Sequence, residues 1–385
     1  MNFWQVKKSS LTSESQLYNP KVRRLGNALR FEVNFKNLTT KLFKHSSINK
    51  NMNYLIIIII LISFLVTYLI TPILIKYLKR IDITVKDQNK EGKPLIPISG
   101  GLAVLAGTFA GLLIFIFFRT FIYPISSGLI LNDTNLKFLF AGMISLLIIT
   151  LVGFLDDIII RKDKESSTGL RQWQKPLFTL IAAIPLMVVS AGTNHMTFPL
   201  LGRIEFGILY PLLLVPLGVV GAANMVNMLG GYNGMETGIG IISIGMLGLY
   251  AYINNSLMAG LIALTVFSSL IAFYIYNKYP AKILPGDSLT YLLGATMAVI
   301  AILGNIEKAA LILSIPFFIE FILKSRSKFQ AQSYGYFKYG KVKIDTKKIY
   351  SLPHILAKTG KYTEKEITHS LILLEIIFGI LIWVI

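Results

Sequence analysis

From Tyr54 to Ile385 the chain alternates long apolar runs with short polar joints. The first run, Tyr54 to Ile75, is rich in isoleucine and long enough for a helix to cross a hydrocarbon layer of ~30 Å. Others follow at about 99–118, 136–155, 176–192, 208–227, 237–253, 257–276, 288–304, 309–323 and 367–385. This pattern predicts an all-α, polytopic membrane protein of about ten transmembrane helices, several of them short. The joints orient them. Six Lys and Arg from Lys76 to Lys93 follow the first run, five from Arg161 to Lys175 follow the third, and eleven lie between Lys324 and Lys365 after the ninth. The joints near 119–135, 193–207, 254–256 and 305–308 carry almost none. Basic residues stay in the cytoplasm, so the odd-to-even joints are expected there, with both ends of the bundle outside.

Composition agrees. Of 385 residues, 54% are hydrophobic and 15% charged, with a mean hydropathy of +0.63, whereas soluble domains are nearer a quarter charged. There is no cysteine, which excludes disulfides and thiolate metal sites. A net charge of +19 raises nucleic-acid binding, but the excess sits in joints and in the N-terminal segment without a nucleic-acid motif. Residues 1–51 form a basic, polar segment that lacks the apolar stretch of a signal peptide. Ten Lys and Arg stand against two Glu in residues 1–50. Such a tail conflicts with an outward N-terminus, and translation from Met52, directly before the first apolar run, removes the conflict. The transmembrane domain is therefore expected over residues 52–385.

Four polar clusters interrupt this apolar chain, all at joints assigned to the cytoplasm. They are Lys86-Asp87-Gln88-Asn89-Lys90 with Ile96-Pro97, Gly153 to Asp157, Asn224 to Gly238, and Gly286-Asp287-Ser288. Asn224 and Asn227 share a helical face by their spacing; Gly230-Gly231 allows a tight turn, and Asn233 and Glu236 supply oxygens nearby. Adjacent carboxylates at a membrane boundary are costly without a cation. Asp287, Asn227 and the Asp156-Asp157 pair offer hard oxygens suited to Mg²⁺, which takes one or two carboxylates plus substrate phosphates. Lys175, opening the fourth run, is placed to neutralise a phosphate. Together these features suggest a diphosphate held at the membrane surface, with apolar grooves between helices for a lipid chain.

These residues resemble the polyprenyl-phosphate N-acetylhexosamine-1-phosphate transferases. The resemblance covers about Tyr54 to Ile385 and is nearest the branch holding the eukaryotic UDP-GlcNAc:dolichyl-phosphate GlcNAc-1-phosphotransferase and its archaeal relatives. Asn224 to Gly238 follows that branch's Asn-Ala-Ile-Asn-Ile-Leu-Ala-Gly-Ile-Asn-Gly-Leu-Glu-Ala-Gly stretch nearly position for position. Bacterial phospho-MurNAc-pentapeptide transferases have Asp where this chain has Gly231. Asp87 to Lys90 with Ile96-Pro97, Gly153 to Asp157, and Asn277-Lys-Tyr-Pro280 with Gly286-Asp287 resemble three further family segments. The resemblance implies transfer of N-acetylglucosamine 1-phosphate from UDP-GlcNAc to a polyprenyl (dolichyl-type) phosphate, with release of UMP, as the first membrane step of glycan assembly such as N-glycosylation. It further implies that Asn227 and Asp287 hold Mg²⁺ (or Mn²⁺), and that Lys175 contacts phosphate oxygens. Asp156 and Asp157 would order the site, one of them as a candidate proton acceptor, and Asn224, Gly231, Asn233 and Glu236 would shape the nucleotide pocket. Asp87, Asn89 and Lys90 are expected to bind substrate. Membrane lipids surround such an enzyme, and some relatives form homodimers.

The chain also departs from the family. Ile98 stands where eukaryotic members have Glu, and Ile158-Ile159-Ile160 replace an Asn after the acid pair. For the basic motif that grips the diphosphate in the last cytoplasmic joint, the candidates are Lys324-Ser-Arg326-Ser-Lys328 and Pro353-His354. Arg326 and His354 are carried as substrate-binding candidates, and a helix start with an exposed histidine is the plain alternative for His354. The Tyr334-Gly-Tyr-Phe-Lys-Tyr run is expected as a loop hairpin or a lipid-headgroup contact. An ion-coupled transporter is the competing class, but its carboxylates would lie near the bilayer midplane. The compact joints favour a prokaryotic, archaeal cell membrane with the site facing the cytoplasm, or the endoplasmic reticulum in a eukaryote.

Overall fold

A computed structural model describes residues 50–122, 133–160, 169–198 and 201–384. The basic segment of residues 1–49, and with it the question of translation from Met52, lies outside them, as do Arg161, Lys162 and Lys164.

Among the described residues, seven helices are long and apolar enough to cross a membrane. In chain order the helices are α1 (Lys50–Arg80), α2 (Gly101–Phe117), α3 (Asp133–Ile160), α4 (Gln174–Leu180), α5 (Ile184–Val188), α6 (Val215–Met228), α7 (Met235–Ile253), α8 (Leu257–Asn277), α9 (Gly286–Gly304), α10 (Glu307–Leu313), α11 (Ile315–Ser325), α12 (Leu352–Ala357) and α13 (Glu364–Leu381). Three antiparallel two-stranded hairpins join them: β1 (Thr84–Lys86) with β2 (Leu95–Pro97), β3 (His195–Phe198) with β4 (Gly202–Glu205), and β5 (Tyr336–Lys338) with β6 (Lys341–Lys343). The first strand of the last hairpin, β5, lies in the predicted tyrosine-rich run.

The other three predicted spans are helical but shorter or more polar. The run at 176–192 is α4 and α5 with a tighter turn between them, and Pro185 opens α5. The run at 309–323 is split at Ser314, with Pro316 in the first turn of α11. Proline has no N–H for the preceding turn and restarts a helix more easily than it continues one. The last run is one helix, α13, but its first turn carries Glu364, Lys365 and Glu366.

Helix faces follow membrane rules. On α1 the residues Leu55, Ile59, Ser63, Thr67 and Thr71, four apart, are buried, while Ile57, Leu61, Leu65, Leu69 and Ile73 face outward. Lipid is as apolar as leucine, so small polar residues serve helix contacts better than large apolar ones. Thr67 Oγ1 donates to Ala103 O of α2 at 3.4 Å and to Ser63 O at 3.0 Å. At the centre stands α9, buried at nearly every position from Ser288 to Ile302 and packed against α2, α3, α6, α7 and α8. A helix apolar on all sides is a core helix. Its N-terminus is therefore the point at which the surrounding helix ends meet.

Candidate active site at the N-terminus of α9

Gly286-Asp287-Ser288 open α9, and the acid pair that ends α3 reaches them. Gly153 makes this approach feasible, because a Cβ there would sit 2.4 Å from the Asp287 carbonyl oxygen. Gly286 takes φ +71°, and a Cβ on it would meet the Asp157 carboxylate at 2.4 Å. The Asp157 carboxylate accepts the backbone N–H groups of Asp287 (2.7 Å) and Ser288 (3.2 Å). The first N–H groups of a helix have no partner within it and carry partial positive charge. Asp157 thus caps α9 from another helix.

Asp156, one residue earlier and about 100° around α3, does something different. Its Oδ2 lies 2.8 Å from Lys175 Nζ and accepts the Tyr291 hydroxyl at 3.1 Å, while Oδ1 accepts the Leu170 N–H at 2.5 Å. Lys175, in the first turn of α4, donates also to Asp287 Oδ2 at 2.6 Å. The carboxylates of Asp287 and Asp156 flank this ammonium and balance its charge. Asn227, near the end of α6, donates its amide to Asp287 Oδ2 at 3.2 Å, and its Oδ1 accepts the Thr290 hydroxyl at 2.7 Å. One lysine, two carboxylates and one amide therefore converge from four helices.

The α6–α7 joint builds the adjoining wall. Asn224 donates to Thr179 Oγ1 (2.9 Å) and to Val220 O (2.9 Å). Past the helix end, Gly231 takes φ +109° and its N–H donates to Glu236 Oε1 at 2.7 Å. Asn233 ties three distant segments together. Its amide donates to Asp87 Oδ2 (3.1 Å), its side-chain oxygen accepts the Ala281 N–H (2.9 Å), and its own N–H donates to Glu364 Oε1 (2.7 Å). Asn89 donates to Gly231 O at 2.7 Å and accepts the Gly335 N–H at 3.1 Å. Lys90 pairs with Glu364 and lies 3.7 Å from the ring centre of Tyr279.

A cavity of about 820 Å³ opens between these walls. Asp87, Lys175, Asn224, Asn227, Gly231, Asn233, Glu236 and Asp287 line it, whereas Asn89, Lys90, Asp156 and Asp157 stand behind the lining. Arg326 and His354 are not in it. The Arg326 guanidinium donates to Ile349 O at 3.2 Å. His354 does lie in the first turn of a helix, α12, but it is buried rather than exposed. Its Nε2 faces Gln332 O at 2.8 Å and its Nδ1 accepts the Tyr350 N–H at 3.3 Å. Burial lowers its pKa. From the same basic segment it is Lys324 that lines the cavity, its Nζ donating to Ala331 O at 2.7 Å. The Glu320 carboxylate one turn earlier lies 3.8 Å from this ammonium. Tyr334 lies across Gly231 and lines the cavity too. Neither Glu364 nor Tyr334 stood out as a site candidate, since a lone acid at a helix start and a tyrosine in a loop carry no spacing signal.

A second, apolar cavity of about 250 Å³ adjoins the first and shares Gly221, Met225 and Phe318 with it. Among the described residues no three His, Cys, Asp or Glu side chains are grouped to hold a metal. Asp287 and the Asn227 amide are nonetheless hard-oxygen donors at the cavity wall. They suit a Mg²⁺ ion that takes its remaining ligands from phosphates and water.

The two adjacent acids should fail differently. Asp157→Ala strands two buried N–H groups and is expected to cost about 2–4 kcal/mol, read as a lowered unfolding temperature in detergent. Asp156→Asn keeps a partner for Tyr291 and should shift that temperature far less. Equal losses would refute the division of labour.

The family described as glycosyl transferase family 4 matches residues 139–305. A protein of Saccharolobus solfataricus, provisionally named UDP-N-acetylglucosamine–dolichyl-phosphate N-acetylglucosaminephosphotransferase, is 37% identical over 321 residues, which cover 80% of this chain and 89% of the relative. A protein of the same name from Sulfolobus acidocaldarius is 33% identical over 313 residues, 79% of this chain and 88% of the relative. A phospho-N-acetylmuramoyl-pentapeptide-transferase of Lactiplantibacillus plantarum is 35% identical over 172 residues, 44% of this chain and 53% of its own length. The chain belongs to glycosyl transferase family 4, on the branch of these two archaeal relatives.

Proposed function

We propose that this protein transfers N-acetylglucosamine 1-phosphate from UDP-GlcNAc to a polyprenyl phosphate of the dolichyl type, giving polyprenyl-diphospho-GlcNAc and UMP. The observation that carries this is the adjacency of a polar cavity, floored by Lys175 between Asp156 and Asp287, to an apolar groove that shares three lining residues with it. Such a pair of spaces suits one water-soluble and one lipid substrate that meet at charged oxygens. The names of the two archaeal relatives support the same substrates.

In this reading an oxygen of the lipid phosphate forms a bond to the β-phosphorus of UDP-GlcNAc. The bond from that phosphorus to the bridging oxygen breaks, and UMP leaves with its electron pair. Phosphoryl transfer demands chiefly positioning and charge neutralisation. Lys175 neutralises phosphate oxygens, and Asp156 holds it in place from behind. Lys324 adds a second cation at the cavity wall. Asn224, Gly231, Asn233 and Glu236 shape the nucleotide side, braced by Asp87, Asn89 and Lys90. Bound through Asp287 and Asn227, Mg²⁺ would supply further neutralisation of the diphosphate. The site faces the cytoplasm, where the Lys- and Arg-rich joints gather, in a bundle of ten crossings that counts α4–α5, α10–α11 and α13 as spans.

The test is UMP release by purified protein with polyprenyl phosphate, Mg²⁺ and UDP-GlcNAc or UDP-GalNAc. Release with UDP-GlcNAc is expected, falling roughly 10²–10³-fold or more in Asp287→Ala and to background with a chelator. No UMP from any UDP-sugar with folded protein would refute the proposal. Removing the Lys324 charge with Lys324→Met should lower kcat/KM for UDP-GlcNAc roughly tenfold or more. Lys324→Arg should retain most of it; an unchanged ratio in Lys324→Met would clear Lys324 of the role. The chain has no cysteine of its own, so topology can be read with single cysteines. Lys348→Cys should be labelled by an impermeant thiol reagent only from the cytoplasmic side, and Asn255→Cys only from outside.

A further inference from the structure

A UDP-sugar presents two different surfaces to a protein. Its diphosphate needs cations and hard oxygens, which gather at Lys175 and Asp287. Its base is a flat, weakly polar ring, and a flat aromatic side chain is the surface that suits it. Among the described residues six aromatic side chains line the polar cavity: Trp173, Tyr232, Phe318, Phe321, Phe329 and Tyr334. Five of them are committed elsewhere. Tyr232 is buried, with its hydroxyl on Ser333 O. Phe329 packs on Phe321 with ring centres 5.4 Å apart, and Phe318 borders the apolar cavity. Trp173 is exposed and stands two residues before Lys175, at the phosphate end.

Tyr334 remains, and the structure gives it a firm seat. A Cβ on Gly231 would stand 3.1 Å from Tyr334 Cδ1 and 3.4 Å from its Cβ, so a side chain there would press the ring away. The chain around Tyr334 forms no helix or strand, yet it is tied on both sides. Lys324 Nζ donates to Ala331 O at 2.7 Å. His354 Nδ1 accepts the Tyr350 N–H, so the proton sits on Nε2, which donates to Gln332 O at 2.8 Å. Ser333 Oγ donates to Met228 O at 3.2 Å, and the Gly335 N–H donates to Asn89 Oδ1 at 3.1 Å. Anchors from α11, α12, α6 and the loop after β1 thus hold one short irregular segment. A ring fixed in advance lowers the ordering cost of a contact made on it.

We propose that Tyr334 is the stacking platform for the nucleobase of the donor, supplied to the α6–α7 wall by a loop remote in sequence. This rests on the reading of the cavity as a nucleotide-sugar site. The Gly231 backbone supports the ring, the base lies on the part of it that faces the cavity, and the diphosphate continues toward Lys175.

The test is binding by the whole protein in detergent with Mg²⁺, which needs no turnover. UMP is compared with dihydrouridine monophosphate, which keeps the hydrogen-bonding groups of uracil but lacks its aromatic plane. The wild-type protein is expected to bind UMP about tenfold more tightly than the dihydro form. Tyr334→Leu should weaken UMP about tenfold and abolish that preference, and Tyr334→Phe should restore both. Tyr339→Leu, at the exposed tip of the same hairpin, should change neither constant. In UMP release, Tyr334→Leu should raise KM for UDP-GlcNAc far more than it lowers kcat, because the base is held equally before and during transfer. Equal affinity of the wild-type protein for the two ligands would overturn the platform, as would a preference that survives in Tyr334→Leu. No binding of either ligand by folded wild-type protein would overturn the nucleotide reading and the platform together.

Discussion

Three carboxylates and one lysine are packed where helices leave the apolar layer, and their mutual compensation organises the rest. Unpaired, each acid there would carry a desolvation cost of several kcal/mol. Asp157 is answered by the N–H groups that open α9, and Asp156 and Asp287 are answered together by Lys175. Each solution requires a different helix to arrive at one point, so the ends of α3, α4, α6 and α9 have little freedom. The glycines at 153 and 286 are the steric condition for that convergence.

The second wall is held by polar contacts between segments remote in sequence. Asn233 binds the loop after β1, the joint before α9 and the start of α13 at once. Lys90 completes this knot through Glu364. A joint that must present backbone and amide groups to a ligand cannot also rely on apolar packing, and such ties give it rigidity instead. Segment 331–335, fixed to Asn89 and to the α6–α7 joint, closes the cavity beside them. The cavity therefore keeps a set shape although loops form much of it.

A polar cavity beside an apolar groove divides the work between two environments. Charge is concentrated at the boundary of the bilayer, where its cost is offset within the protein, and the hydrocarbon side asks only for an unfilled trench. Small residues on α6 and α9 make that trench without exposing backbone polar groups, which helices keep satisfied internally. A water-soluble phosphate donor and a lipid phosphate can then meet without either leaving its own solvent.

Much of this was legible along the chain. Apolar run length determined that the chain is helical and crosses a membrane, and the interruptions at Asp87, Asp156, Asn224 and Asp287 marked the places that converge. Local order also located the tyrosine-rich hairpin. Ten runs of similar hydropathy did not separate seven long helices from three shorter or more polar ones, because a proline break or a charged first turn costs little in a window average. Nor could adjacency in sequence tell Asp156 from Asp157; their duties differ because successive helical residues point about 100° apart toward different neighbours. The choice of Lys324 over Arg326 and His354 at the cavity wall, and the part of Glu364, rest on contacts between segments far apart in the chain. Sequence determines which groups are too polar for their surroundings; only the tertiary structure decides which partner relieves each of them, since that depends on which helix ends are brought within hydrogen-bonding distance.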